Sequence, residues 1–256
     1  MLRMSIDKTV RDILDLVCEI SSLPAMQHAS LFRMILYADV LATLSAITYP
    51  QDKDRERFVR LIKDFGRWDD AERVSLPHLR NSLQQGSRTP ACECLLTWVE
   101  QQLAAWLDWG RLTLDIDPTE AELRKQAKTS GLSDTECNDL VKDSQHAQLL
   151  YLLRCNMMHE FQAGPHGIGL AEDEVPLYTA PVVGKLDDGI AGLAPHLSDS
   201  KSRVGYHWQL VHPETFMREL CQNVLVSIGN YWEANGIDSS EALKNPGYLV
   251  RRARTP

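Results

Sequence analysis

The sequence predicts a mainly α protein with a small β-hairpin insertion, and two features carry that prediction. Apolar residues recur three and four positions apart along most of the 256-residue chain, with capping and helix-ending residues around these runs. The stretch from about 163 to 212 differs, because it is rich in glycine and proline and carries two short strand-like segments. The composition, with 44% hydrophobic and 24% charged residues, is ordinary for a globular protein.

The first part of the chain reads as a series of helices. Apolar residues at helical spacing predict helices over 7–20 and about 28–48, which end before Pro24 and Pro50. The segment "DKDRERFVRLIKDFG" predicts a third helix with Gly66 as a left-handed C-cap residue. Ser75 is a turn or cap residue before a short helix, and a further helix is expected from Cys94 to Leu107.

Capping signals then mark two more helices. In "DPTEAELRKQAKTSG", Asp117 is expected as the N-cap residue, Pro118 at the first helical position and Gly131 just after the end. "SDTE" at 133–136 fits a capping box in which the hydroxyl of Ser133 and the carboxylate of Glu136 satisfy each other's backbone amides.

A long helix is predicted from about 134 to 161, with a possible bend point at Asp143 and Ser144. A last amphipathic helix begins at Pro213 and Glu214. Between them lies the insertion at about 163–212.

The insertion contains two predicted strands. The segments "VPLYTAPVV" and "RVGYHWQLVHP" have the composition and alternation of strands and would form a hairpin. His207 and His212 fall five residues apart, on opposite faces of an extended strand, and are expected as surface and end residues rather than metal ligands. The chain divides into an N-terminal helical region, 1–130, and a helical core with the insertion, 131–256, expected as one continuous globular unit.

Charge and cysteine content narrow the functional classes. The formal charge of −8 and pI near 5.5 argue against a broad basic surface that follows a nucleic-acid backbone. Asp7, Asp12 and Asp15 stand where a signal peptide would be apolar, and no uninterrupted run of 18 apolar residues follows. A lone Cys92-x-Cys94 pair does not predict zinc, and no cofactor is predicted. We expect a cytoplasmic protein without a membrane-spanning segment.

The candidate functional residues of the sequence lie in the stretch "LLRCNMMHEF", residues 152–161. It places Arg154, Asn156 and His159 at the end of an otherwise apolar helical run. Arg154 and His159 are five residues apart, a rotation of about 140° on an ideal helix, whereas Asn156 and His159 can lie side by side.

An arginine, a four-residue gap and a histidine at the end of such a helix resemble the Arg-x4-6-His signature of the HEPN superfamily (higher eukaryote and prokaryote nucleotide-binding). "RCNMMHEF" is similar to a variant in bacterial members, in which Arg-Cys-Asn is followed by two apolar residues and His. The resemblance covers residues 134–162 and the helical character of the rest.

This resemblance implies a HEPN-like helical bundle, frequent dimerisation and, in many members, metal-independent cleavage of RNA in toxin–antitoxin, phage-defence or CRISPR-associated systems. Carried onto the matching positions, Arg154 and His159 would be the catalytic pair and Asn156 a polar accessory residue. The implied partners are an RNA substrate, a second copy of the chain and an antitoxin or other defence-system protein.

The chemistry suits these residue types. Metal-independent cleavage needs a base for the ribose 2′-hydroxyl, an acid for the leaving oxygen and a cation for the charge developing on phosphorus. One histidine does not readily supply both acid and base, whereas a two-fold dimer would bring two His159 and two Arg154 to one cleft. Met157, Met158 and Phe161 are then expected at the dimer interface rather than in the core.

Two departures from the family bear on this prediction. Some HEPN toxins carry a tyrosine two residues after the histidine that a partner enzyme modifies, and here that residue is Phe161. The residue after the arginine is often Asn, Asp or His, and here it is Cys155.

Three alternatives to a nuclease site stay open. They are a helix end capped by basic side chains, a non-catalytic module that binds a nucleotide or a partner protein, and a structural subunit of a larger complex.

Overall fold

The computed structural model describes residues 2–24, 29–86, 89–106, 111–160, 167–168, 174–179 and 208–238. Of residues 2–5, 159–160 and 167–168 it describes the backbone only. Within these ranges the protein is mainly α-helical with a small sheet, which confirms the predicted fold class. The helices are α1 (Leu2–Ser22), α2 (Ala29–Thr48), α3 (Asp54–Phe65), α4 (Leu76–Gln85), α5 (Pro90–Ala104), α6 (Glu120–Ser130), α7 (Asp134–Ser144), α8 (His146–Glu160) and α9 (Glu214–Ala234).

The sheet has four short strands in the order β1-β3-β4-β2. They are β1 (Arg111–Thr113), β2 (Gly167–Ile168), β3 (Leu177–Thr179) and β4 (Gln209–His212). The predicted hairpin is present as the antiparallel pair β3–β4. The sequence did not indicate β1, which lies outside the insertion and pairs antiparallel with β3, or β2, which runs parallel to β4.

Two hydrophobic cores hold the described part of the chain together. The first joins α1, α2 and α3 to α8 and α9, and its fully buried side chains include Tyr37, Leu61, Leu153, Met157 and Trp232. The second joins α4, α5, α6 and α7 to the sheet, and its buried side chains include Leu79, Val99, Leu123, Tyr178 and Leu210. The helix that carries Arg154 therefore packs against helices from the N-terminal region.

Helix α2 belongs to the first core. Its composition and length would allow it to cross a membrane, and it is the one helix in the described ranges that passes that test. Most of its residues are buried against α1, α3, α8 and α9, among them Met34, Tyr37, Leu41 and Leu44. Those partners cover more than half of α2, whereas Phe32 and Leu36 on the same helix are exposed.

The end of α3 differs from the sequence prediction. Gly66 caps the helix, but its φ of −71° is right-handed, and the residue with positive φ is the next one, Arg67, at 50°. The glycine is needed for space, because a Cβ added there would lie 2.5 Å from the carbonyl oxygen of Ile62 and 2.8 Å from Cδ1 of Leu220 on α9. Its role is the absence of a side chain at this crowded helix end rather than a left-handed cap.

The start of α6 also differs. Thr119, not Asp117, is the N-cap residue, and with Glu122 it forms a complete capping box. Asp117 lies two residues further from the helix and is 1% exposed. It was predicted as a cap because aspartate is a favoured N-cap residue, but its carboxylate is used in a buried network described below.

The long helix predicted over 134–161 is two helices, and the break falls next to the predicted bend point. Gln145 is extended, with ψ of 139°, between α7 and α8. Its side-chain amide donates to the carbonyl of Glu72 at 3.2 Å and to the carboxylate of Glu120 at 2.9 Å. These two bonds hold the break in place. The capping box of Ser133 and Glu136 is present as predicted.

One further expectation is wrong. His212 is a strand residue with 0% exposure, not a surface residue, and its ring packs near Trp68 and Phe216. Its neighbours in β4, Leu210 and Val211, are buried as well, because this strand lies between β2 and β3 in the sheet. His207 lies outside the described residues.

Candidate functional site

Helix α8 presents Arg154 towards the first turn of α3. The inner face of α8 is formed by Leu150, Leu153 and Met157, which are fully buried in the first core. Tyr151 and Arg154 lie beside that face, three residues apart, and both reach α3. The position of the arginine is therefore set by the packing of α8 against α3.

The carboxylate of Asp54, the first residue of α3, is the main partner of Arg154. Nη1 of Arg154 donates to Oδ2 of Asp54 at 2.8 Å, and the hydroxyl of Tyr151 donates to the same oxygen at 3.0 Å. Oδ1 of Asp54 accepts from Nη2 of Arg57 at 2.8 Å. Two guanidinium groups thus share one carboxylate, which leaves one net positive charge at the cluster formed by Asp54, Arg57, Tyr151 and Arg154, here called the Asp54 cluster.

The two partners differ in exposure. The side chain of Arg154 is 15% exposed and that of Asp54 is 40% exposed. Burial by itself would raise the pKa of Asp54, but Arg154, Tyr151 and Arg57 together hold it below its ordinary value. Burial would lower the pKa of Arg154, and the carboxylate of Asp54 outweighs that effect and raises it. Both groups are charged at neutral pH.

The guanidinium of Arg154 is not saturated by these contacts. Its Nε is buried and has no hydrogen-bond acceptor among the described residues. Its carbon lies 5.8 Å from the centre of the Tyr151 ring. An arginine carries five donor hydrogens in a planar fork, and Nη1 is the nitrogen that binds Asp54.

The other predicted site residues are placed only in part. Asn156 lies on α8 and is half-buried, as is Cys155. The backbone of His159 is in the last turn of α8, but its side chain lies outside the described residues. The distance between Arg154 and the imidazole of His159 therefore stays a prediction, and so does their arrangement across a dimer.

The prediction that Met157, Met158 and Phe161 lie at a dimer interface is wrong for Met157. Met157 is 0% exposed and belongs to the first core, so it is not an interface residue. It follows Leu153 by one turn on the face of α8 that packs on α2 and α3, and that face is covered within the chain. Met158 is half-buried, and Phe161 lies outside the described residues.

A second polar cluster lies in the second core, and the sequence analysis missed it. It is a chain of hydrogen bonds between fully or mostly buried side chains. Asp117 is its centre: Oδ1 accepts from the backbone amide of Leu76 at 3.1 Å, and Oδ2 lies 2.7 Å from Nε2 of His146 and 2.6 Å from the hydroxyl of Tyr178. The hydroxyl of Tyr178 also lies 2.7 Å from Oγ of Ser75.

The order of protons in this chain follows from the donors available. Tyr178 has one hydroxyl proton, and the carboxylate of Asp117 is the stronger acceptor at 2.6 Å. Ser75 then donates to the oxygen of Tyr178, and Nδ1 of His78, 2.7 Å from Oγ of Ser75, donates to the serine. His146 donates through Nε2, which agrees with its Nδ1 having no partner among the described residues. In each hydrogen bond of this chain the donor is thus the partner further from Asp117, and Asp117 itself only accepts.

This network ties four elements together. Ser75 caps α4, Asp117 precedes α6, His146 begins α8 and Tyr178 is in β3. No local sequence pattern connects them, since Ser75 and Tyr178 are 103 positions apart. The network fixes the first residue of α8, eight positions before Arg154. Its central side chains are 0–1% exposed, which suits a structural role.

Within the described ranges, no three His, Cys, Asp or Glu side chains are grouped in a way that could hold a metal ion. No protein-family model, curated protein or solved structure matches the chain.

Proposed function

We propose that this protein is a metal-independent endoribonuclease whose active site forms across a homodimer, with Arg154 and His159 as the catalytic pair and Asn156 as the accessory residue. The observation that supports this proposal is the state of Arg154. It is a permanently charged guanidinium, fixed on α8 by packing and by Asp54, and its side chain is 15% exposed.

Each residue type has a chemical task in this proposal. A guanidinium can hold two oxygens of the phosphate that is attacked and can balance the charge that develops there. Two imidazoles, one from each chain, would act as base for the 2′-hydroxyl and as acid for the leaving oxygen. The dimer also resolves the rotation of about 140° between the two positions on one helix, because the arginine and histidine of a cleft can come from different chains.

The acidic charge of the chain constrains the substrate. A protein with a formal charge of −8 gains little from non-specific attraction to long RNA. We therefore propose that the substrate is a structured RNA or one delivered by a partner protein. A toxin–antitoxin or antiviral defence system in the cytoplasm is the setting that the resemblance to HEPN proteins implies.

The test is cleavage of a labelled RNA pool in EDTA. We expect the wild-type protein to cleave and both His159→Ala and Arg154→Ala to lose activity by at least about a hundredfold, as expected for loss of an acid–base group or of an oxyanion-stabilising charge. Arg60→Ala is the matched control, because Arg60 is an exposed arginine of the same helix, α3, and pairs with Asp52 and Asp64 outside the Asp54 cluster.

That control is expected to retain activity within about threefold, since loss of an exposed ion pair changes little. If neither the wild-type protein nor any variant cleaves RNA in EDTA, the nuclease proposal is ruled out.

One observation favours a second function. Arg154 already has an ion-pair partner within its own chain and is mostly buried, as expected of a structural arginine. A non-catalytic HEPN-like module that binds a nucleotide or a partner protein would use the same fold in this way. Under that alternative Arg154→Ala would leave partner binding largely intact, and no RNA would be cleaved.

A further inference from the structure

The contact between Asp54 and Arg154 also bears on how the proposed site is regulated. The carboxylate oxygen of Asp54 lies 2.8 Å from Nη1 of Arg154, the distance and direction that a phosphate oxygen would need. A carboxylate and a phosphate carry the same sign of charge and use the same donors. Both cannot occupy this side of the guanidinium at once.

We propose that Asp54 is an autoinhibitory residue: in the resting chain its carboxylate occupies the phosphate-binding side of Arg154, and RNA binds only after Asp54 has moved away. This inference rests on the proposed function, in that it assigns a phosphate to Arg154. It adds a regulatory element, the first turn of α3, that the sequence did not indicate.

The cluster is built so that Asp54 can leave. Asp54 is the first residue of α3 and is 40% exposed, so its side chain can turn towards solvent without opening the core. Arg57, one turn further along the same helix, already binds its other oxygen at 2.8 Å. When Asp54 releases Arg154 it therefore keeps a cationic partner, and its charge is not left unpaired.

Arg154, in contrast, stays in place. It is 15% exposed and lies beside the ring of Tyr151, whose own ring packs against Phe58 of α3 with centroids 5.7 Å apart. The guanidinium is thus held while its anionic partner is exchanged. Release of Asp54 would leave the guanidinium of Arg154 to the phosphate, while Arg57 stays paired with Asp54.

The experiment compares Asp54→Asn with wild type in two assays done in EDTA: cleavage of the labelled RNA pool, and binding of a 2′-O-methyl RNA oligonucleotide that lacks the attacking hydroxyl. Asparagine keeps the size of the side chain, removes its charge and leaves one acceptor oxygen in place of the two that bind Arg154 and Arg57. We expect tighter oligonucleotide binding, on the order of tenfold, because a neutral asparagine competes with the phosphate for Arg154 less strongly than a carboxylate does. Cleavage at low RNA concentration should rise in parallel.

Two further variants show whether the effect comes from this contact. Glu56→Gln removes an exposed carboxylate from the same first turn of α3 and changes the net charge equally, so it should leave binding within about twofold of wild type. The double variant Asp54→Asn/Arg154→Ala should show none of the gain. Circular dichroism of each variant checks that the helices are intact.

The outcomes separate this inference from the nuclease proposal. Tighter binding by Asp54→Asn that depends on Arg154, without cleavage by any protein, would support the autoinhibitory contact and rule out the nuclease. Cleavage that depends on Arg154 but falls, or stays unchanged, in Asp54→Asn would support the nuclease and overturn the inference. In that case Asp54 would orient the arginine instead of blocking it. No Arg154-dependent binding by any variant would overturn both.

Discussion

The buried hydroxyl of a single residue, Tyr178, connects two other polar side chains of the second core. Its ring is fully buried in the second core, and its hydroxyl lies within hydrogen-bond distance of both Asp117 and Ser75. Burial and the neighbouring carboxylate of Asp117 raise its pKa well above the ordinary value. The group is therefore a neutral donor at neutral pH.

Tyr178→Phe is predicted to lower the free energy of unfolding by about 1–3 kcal/mol, because Asp117 would lose a donor that no water can replace. The measurement is urea denaturation followed by circular dichroism. Tyr231→Phe is the control, since this half-buried tyrosine of α9 makes no hydroxyl hydrogen bond to another described residue. Equal midpoints for the two variants would contradict the importance of the network.

Asp54 carries a prediction about pH. The ordinary pKa of an aspartate is about 4. Burial would raise the pKa of Asp54, but Arg154, Tyr151 and Arg57 outweigh burial and lower it in the folded chain. A depressed carboxyl pKa adds stability above the unfolded value, and that stability is lost as the pH falls through the folded value. Unfolding experiments from about pH 6 down to about pH 3 should show a smaller loss of stability for Asp54→Asn than for wild type. Parallel curves would count against the ion pair.

The residues of the site were predictable to different degrees. Arg154 is a candidate from the sequence because a short pattern in one segment carries it. Asp54 is not, because it is 100 positions away and looks like any acidic residue in the first turn of a helix. The same is true of Asp117, for which local reasoning gave a capping role. Contacts between distant segments leave no local signal in one sequence.

At the scale of elements, helix ends were predicted well where a complete capping pattern was present. Ser133 and Glu136 form the expected capping box, and Ser75 is the expected N-cap. At α6 two N-cap candidates, Asp117 and Thr119, lie close together, and each has a glutamate three residues later, so the local pattern does not separate them. Thr119 is the cap, while the carboxylate of Asp117 is bound by His146 and Tyr178. The break at Gln145 depends on bonds to Glu72 and Glu120, so only its neighbourhood could be predicted.

Thr119→Ala is predicted to destabilise the protein by about 1 kcal/mol, because the amide of Glu122 loses the hydroxyl that accepts its hydrogen bond. Thr129→Ala, at the exposed end of the same helix, removes only a hydroxyl bond to the carbonyl of Lys125 and serves as the control. Thermal unfolding of both variants measures the difference. A change in Thr129→Ala as large as that in Thr119→Ala would show that the cap is not the cause.

The β strands were predicted where alternation was visible and missed where it was not. β3 and β4 lie in segments of aromatic and β-branched residues. β1 is three residues long with one buried side chain, Leu112, and its strand conformation depends on pairing with β3. Such a short strand has no periodicity to read.

At the scale of the whole molecule, two cores organise the described chain, and α8 connects them. Its first residue, His146, is held by the buried network, and Leu149 packs in the second core. The residues that follow on its inner face, Leu150, Leu153 and Met157, pack in the first core. Arg154 is thus carried by the helix that both cores restrain, a rigid support that suits a site requiring fixed geometry.

In the proposed dimer, the cleft needs His159 from both subunits, one as acid and the other as base. If wild type and His159→Ala are mixed as equal amounts of chain and allowed to exchange subunits, about one quarter of the dimers contain two wild-type chains. The measurement is cleavage of the labelled RNA pool in EDTA by this mixture, with the dimer verified by light scattering. We predict activity near one quarter of that of wild type at the same total concentration. Activity near one half, or no cleavage by the wild-type dimer itself, would contradict a metal-independent site shared between two subunits.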